Sequence, residues 1–152
     1  MVLIRAAEAG DHDALVDLRF VWRVEEEDER GRSRAAFATE FLALMQANAD
    51  THRAWLAEDG GAPVGMAWLA IVRRIPSPER FTRLAGYLQS AYVVPRARGR
   101  GIGSALVDAV IEGARQQGLD YLAVHPSERS FSLYRRAGFS ASDGVLELRF
   151  GR

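Results

Sequence analysis

Residues 92–104 read YVVPRARGRGIGS, and the reading of the fold starts from them. An apolar run beginning near Leu84 reaches Val93 and Val94 and stops at Pro95, which marks the end of a strand. From Gly101 the hydrophobic period changes. Ile102, Leu106, Ala109 and Val110 fall on one helical face, and Gly118 stops that helix. Between strand and helix, Arg96, Arg98 and Arg100 alternate with small residues, and Gly99, Gly101 and Gly103 follow one another at every second position. The first amides of a helix lack intrahelical partners, and the helix dipole adds about half a positive charge there. Glycine lets an anion approach that backbone, and guanidinium groups suit phosphate oxygens. The stretch is a candidate cradle for a diphosphate.

Known cradles differ in which diphosphate they take. A P-loop requires lysine, and all 20 basic residues of this chain are arginine. The dinucleotide pattern G-x-G-x-x-G would place its third glycine on Ser104, and it normally follows the first strand rather than the fourth. Asp120 lies near the distance of the acidic partner in that pattern. Arginine–glycine runs also bind RNA from disordered segments, but this single short cluster is bracketed by strongly periodic elements.

Composition limits the rest. A chain of 152 residues with 48% hydrophobic and 26% charged residues is globular and long enough to bury a core as one domain, residues 1–152. Twenty acidic residues balance the arginines, so general attraction to nucleic acid or to an anionic membrane is not encoded. Cysteine is absent, which excludes disulfides, thiolate metal sites and a cysteine nucleophile. His12 and His52 are isolated, so no metal is expected. The N-terminus does not read as a secretory signal and no apolar run reaches bilayer length, so a soluble cytoplasmic protein is the expectation.

Along the chain, VLIRAA opens as a strand. A helix follows that Asp11 caps, with Leu15, Leu18 and Trp22 at helical spacing. The acidic run Glu25–Glu29 interrupts it, and a second helix carries Phe37, Phe41 and Leu44 on one face. HRAWLAED, a glycine turn and VGMAWLAIVRR form a hairpin. After the long fourth strand and the glycine turn come the strand DYLAV, a short helix with Phe131 and Tyr134 on a shared face, and a closing strand GVLELRF. The order is that of a mixed α/β single domain.

Arg98, Gly101 and Gly103 form R-x-x-G-x-G directly after a strand ending V-x-P, and about 30 residues later stands LYRRAGF, Leu133 to Phe139. Together these motifs resemble the GCN5-related N-acetyltransferases, from Tyr87 to Phe139. The resemblance implies a central, mixed and mostly antiparallel sheet of six to seven strands flanked by about four helices, with acetyl-CoA as cofactor. It implies that amides from Arg98 through Gly99, Arg100, Gly101, Ile102 and Gly103 to Ser104 hold the pyrophosphate. The fourth strand would splay from its neighbour, and the backbone at Ala91, Tyr92 and Val93 would pair with the pantetheine arm. One of those amides would also face the thioester oxygen as an oxyanion donor. Tyr134 matches the tyrosine that protonates the departing thiolate. Ser127 stands where the family often keeps an asparagine contacting pantetheine; its simplest work is to cap the following helix.

The resemblance implies a small-molecule or peptide amine as acceptor, with polyamine, aminoglycoside, amino acid, peptide N-terminus and protein lysine all open. Glu25 and Glu26, in the wall this fold places between its first two helices, would favour a cationic amine, with the face of Trp22 offered to an ammonium group. A solvated charge run is the plain alternative. His125, at the end of the fifth strand, is a candidate base, with water as its rival. The family resemblance also makes a homodimer an open state. A non-catalytic acyl-CoA sensor module, and a nucleic-acid domain using Arg96, Arg98 and Arg100, are the rival functions.

Overall fold

Strand β3 (Ala62–Arg73) is the axis of the fold. Its residues Val64, Gly65, Met66, Ala67, Leu69 and Ala70 are all buried, as expected of a strand covered on both faces. The computed structural model describes residues 1–151. Among them, β1 (Val2–Ala6), β2 (His52–Asp59), β3, β4 (Leu84–Val93) and β5 (Leu122–Val124) make one sheet in that spatial order. The β1–β2, β2–β3 and β3–β4 pairs are antiparallel, and β4–β5 is parallel. The β2–β3 hairpin turns through Gly60 and Gly61, both with positive φ.

Four helices flank the sheet: α1 (His12–Phe20), α2 (Arg34–Ala47), α3 (Ile102–Gln116) and α4 (Phe131–Arg136). Trp55 of β2 lies opposite Ala67 of β3, and its indole rests on Gly113 of α3, where a Cβ would collide with the ring. The next residue of β3, Trp68, must point to the other face, and it meets Phe41 of α2 edge-on at 5.7 Å. Helices therefore cover both faces. On α3, Leu106, Val107 and Val110 are fully buried, each stabilising the fold by about 1.5–3 kcal/mol.

Several sequence expectations change. Asp11 precedes α1 but does not cap it. Its carboxylate is held by Arg5 at 2.7 and 2.8 Å and accepts from the Glu8 amide at 2.7 Å. On α2 the inward residue is Met45, and Leu44 faces solvent, because the buried stripe turns with the helix past Phe41. Tyr134 is buried while Phe131 is exposed, since a six-residue helix covers only a narrow stripe of core.

The sheet has five strands rather than six or seven. Segment 145–150 alternates like a strand but forms no ladder. A strand requires a neighbouring backbone, and the three-residue β5 carries no strand on its outer side.

Candidate active site

The long strand β4 changes course in its middle. Ser90 adopts a left-handed backbone, φ 54°, and the register against β3 passes from Trp68↔Gln89 to Met66↔Tyr92, leaving one extra residue on β4. Such a bulge bends and twists a strand. Arg19 of α1 donates to Ser90 Oγ at 3.1 Å across the bend. On its other side β4 pairs with β5 only at Gly86↔Leu122, Tyr87↔Ala123 and Leu88↔Val124. Beyond Leu88 and Val124 the two strands part, and a cleft of about 910 Å³ opens between them.

That cleft gathers most of the residues singled out from the sequence. Ala91, Tyr92, Val93 and Arg98 line one side, His125, Ser127 and Tyr134 the other, and Trp22 and Glu26 stand at the wall from the first helix. Glu25 is exposed and does not reach it. The wall is not a loop: α1 continues without a break into a π-turn, Val21–Glu26, which carries Trp22 and Glu26 toward β4.

The glycine turn forms in two steps. Pro95–Ala97 make a single 3₁₀ turn, then Gly99 and Gly101 take φ 77° and 76°, a conformation costing a residue with a Cβ about 1–2 kcal/mol. Gly101 is the N-cap of α3, so the amides of Ile102, Gly103 and Ser104 open the helix without intrahelical acceptors. The Ile102 side chain is in the core, leaving only its backbone for a ligand. A Cβ on Gly103 would lie 3.7 Å from Leu133 and 3.9 Å from Val93, both residues of the cleft, which puts the start of α3 at the cleft's end. The arginines differ in their commitments. Arg100 pairs with Asp59 at 2.7 Å, whereas Arg98 donates through Nε to the Val93 carbonyl at 2.8 Å and through a terminal nitrogen to Glu26 at 2.9 Å.

Tyr92 offers more than its backbone: its side chain is the centre of a packed group. Its ring stacks on Trp22 at 5.2 Å and the Arg98 guanidinium lies over it at 5.7 Å. Its hydroxyl is buried close to the Glu26 carboxylate but outside good hydrogen-bonding geometry with it. Burial, and then the nearby Glu26 carboxylate, push the Tyr92 phenol well above its usual value. Burial also pushes Glu26 upward, but Tyr92 and Arg98 outweigh it and hold the carboxyl below the ordinary range.

The Trp22 face is not free for an ammonium group. Tyr92 stacks against it, and Arg19 and Arg23 stand over it at 5.0 and 5.8 Å. The acidic run is likewise largely paired: Arg23 takes Glu27 and Glu29, each at 2.7 Å, and Arg98 takes Glu26. In the cleft, Glu26, Glu27 and Glu128 are matched by Arg23, Arg98 and Arg129.

Tyr134 meets Phe139 edge-on at 5.6 Å, and burial raises its phenol above the ordinary value. The Phe139 backbone amide donates to the Tyr134 carbonyl at 3.0 Å, and Gly138 turns there with φ 109°, so the motif's glycine and phenylalanine fix the helix that carries the tyrosine. Ser127 opens the 3₁₀ turn Glu128–Ser130 by position, but its hydroxyl meets Ser130 Oγ at 2.9 Å rather than a backbone amide. His125 stands exposed at the end of β5, with Nε2 3.6 Å from the Glu147 carboxylate. No local signal marked Ser90, Arg19 or the side chain of Tyr92, because each acquires its role only across the sheet.

The profile of the acetyltransferase (GNAT) family matches residues 15–139. Glucosamine 6-phosphate N-acetyltransferase of Trypanosoma brucei brucei is 33% identical over 88 residues, 58% of this chain and 58% of that protein. The match thus spans under two thirds of that relative's length. Among solved structures, a predicted acetyltransferase from Clostridium acetobutylicum, crystallised with acetyl-CoA, shares the fold at TM-score 0.80, with 23% identity over 98% of this chain and 96% of its own. An integron cassette protein from the Cole Harbour Salt Marsh metagenome is 30% identical at TM-score 0.75, covering 97% and 89%. A GCN5-related N-acetyltransferase of Ralstonia eutropha is 26% identical at TM-score 0.73, covering 99% and 100%. The parted strands, the left-handed glycines at the start of α3 and the matched profile have one common account: the chain belongs to the acetyltransferase (GNAT) family of enzymes.

Proposed function

We propose that this protein acts as a single-domain N-acetyltransferase that moves an acetyl group from acetyl-CoA directly to a primary amine within a ternary complex. The observation that carries the proposal is the free edge of β4. β3 still pairs with it beyond Leu88, but on the β5 side its backbone has no strand beside it, and it runs to a helix N-terminus opened by glycines of positive φ. These residues fit the cofactor. Amides between Arg98 and Ser104 would bind its pyrophosphate, the backbone at Ala91 and Val93 would hold its pantetheine arm, and Ser127 stands across the cleft from that edge. When bound, acetyl-CoA supplies an acetyl thioester.

The chain's own groups then position and move protons. A β4 amide would face the acyl oxygen and stabilise charge growing on it. Tyr134, its phenol raised by burial, would be the proton donor to the departing sulfur. His125, at the β5 end of the cleft, takes the proton of the ammonium, with solvent as the competing route. Positioning accounts for most of the acceleration, because the chain has no cysteine to carry an acetyl group.

The cytoplasm is the proposed location. Among the described residues no helix is long and apolar enough to cross a membrane, and the absence of cysteine suits a reducing interior. A homodimer is the proposed assembly. In its support, Leu146, Leu148 and Phe150 are large apolar residues exposed close together within segment 145–150, which a second copy would cover. Light scattering after size exclusion tests this, and a monomer at micromolar concentration overturns it.

Calorimetric titration with acetyl-CoA, against NADH and ATP, tests the function. Binding of acetyl-CoA alone, followed by release of CoA thiol with a panel of amines, is the expected result. Binding without turnover on any amine turns the assignment to an acyl-CoA sensor. No binding by the folded protein overturns the cofactor itself.

A further inference from the structure

Arg98 belongs at once to two parts of the cleft. It is the first residue of R-x-x-G-x-G, at the turn read as the diphosphate cradle, yet its guanidinium is spent elsewhere. Nε holds the Val93 carbonyl at 2.8 Å, on the free edge of β4, and a terminal nitrogen holds the Glu26 carboxylate at 2.9 Å, on the wall from α1. The two carboxylates that follow Glu26 have other partners or face solvent: Glu27 is taken by Arg23 and by the Trp22 indole, and Asp28 is exposed. Glu26 is the one carboxylate of the acidic run tied to the turn.

Beside it lies an unmet donor and acceptor. The Tyr92 hydroxyl, in a residue only 4% exposed that lines the cleft, is buried close to the Glu26 carboxylate without a well-formed hydrogen bond to it. A buried polar group left unpaired is costly, and in a cleft an arriving ammonium group is one partner that would relieve it. Tyr92 lies between Trp22 and Arg98, so its position is set by both the wall and the turn.

We infer that Glu26, with the Tyr92 hydroxyl, is the site that receives the acceptor's ammonium group, and that Arg98 withholds Glu26 until the cofactor is bound. This rests on the acetyl-CoA assignment above. A diphosphate at the turn competes for the Arg98 guanidinium, and a pantetheine arm along β4 competes for the Val93 carbonyl. The diphosphate draws the guanidinium off Glu26, and the arm removes the Val93 contact that anchors it there. The freed carboxylate then faces the cleft beside the Tyr92 hydroxyl, an acceptor pair suited to a cationic amine. The acceptor site is thus completed by cofactor binding through one side chain, and by linkage whatever weakens the Glu26–Arg98 pair strengthens cofactor binding.

The test is acetyl-CoA affinity in the wild-type protein and in Glu26→Gln, Glu27→Gln, Arg98→Gln and the Glu26→Gln/Arg98→Gln double variant. Glu26→Gln is expected to bind acetyl-CoA about five-fold more tightly, because Arg98 no longer has a carboxylate to leave. Glu27→Gln, with the same charge change, leaves affinity within about two-fold, and in the Arg98→Gln background the Glu26 effect disappears. Unaltered affinity in Glu26→Gln overturns the inference, as does a tightening that persists without Arg98, which would be a general charge effect. Failure of the wild-type protein to bind overturns the cofactor assignment and this inference with it.

A second measurement needs no loss of Arg98. In protein carrying ¹³C-labelled glutamate, the Glu26 carboxyl resonance, assigned by its absence in Glu26→Gln, shifts on saturation with CoA. A resonance that stays in place while CoA binds overturns the release of Glu26.

Discussion

Trp22 and Tyr92 lie almost parallel, 10° between planes and 5.2 Å between centroids. This stack ties the π-turn that extends α1 to the strand that forms the cleft's free edge. The wall carrying Glu26 is therefore positioned by aromatic packing as well as by the Arg98 ion pair. Trp22→Ala is expected to destabilise the fold by about 1–3 kcal/mol, combining lost stacking with lost burial. It should also raise the amine KM more than the acetyl-CoA Kd, since the turn itself is untouched. Urea denaturation and the two affinities check both parts.

Gly101 caps α3 with φ 76° and has open space where a Cβ would be. Gly101→Ala adds only the conformational penalty, about 1–2 kcal/mol. Gly101→Glu adds a negative charge at the proposed pyrophosphate site and is expected to abolish acetyl-CoA binding in calorimetry while the protein remains folded by circular dichroism. Retained affinity in that variant would move the cradle elsewhere.

Tyr134→Phe keeps the edge contact with Phe139 and removes only the hydroxyl. Stability should change little, while kcat falls about 100-fold and the acetyl-CoA Kd holds. Because burial raises the Tyr134 phenol above its ordinary value, the group stays protonated through the neutral range, and loss of activity from its ionisation appears only above pH 10. A wild-type descending limb near neutrality would belong to another group.

The Arg5 guanidinium, and then the Glu8 amide, hold the Asp11 carboxyl down to about 2, below its ordinary 3.8. A carboxyl lowered on folding stabilises above its unfolded value and ceases to do so as pH falls through its folded one. The contribution of Asp11 is therefore full above about pH 4 and fades toward pH 2. In urea midpoints, Asp11→Asn should be less stable than wild type at pH 7, with the gap narrowing at pH 3. A gap that is constant with pH would mean packing, not charge, is lost.

Much of the fold follows from neighbours in sequence. The glycine turn, the amphipathic face of α3, the Gly60–Gly61 hairpin and the Gly138 stop after Tyr134 depend on residues within a few positions of one another, because φ preferences and hydrophobic period act over that range. The same local reasoning fails at segment 145–150, whose alternation is that of a strand but whose pairing needs a partner edge that alternation does not supply.

What only the tertiary structure decided lies in contacts between distant residues. Glu26 and Arg98 stand 72 positions apart, and Arg19 and Ser90 stand 71 apart. Sequence placed Glu26 in the acidic wall and Arg98 in the anion turn, each with its own chemistry. That one guanidinium joins them, that Trp22 has its face filled, and that a bulge at Ser90 follows the point where β4 and β5 part are products of how the chain packs across the sheet. Local preference sets which conformations a residue accepts; packing across the sheet sets which partner its charge meets.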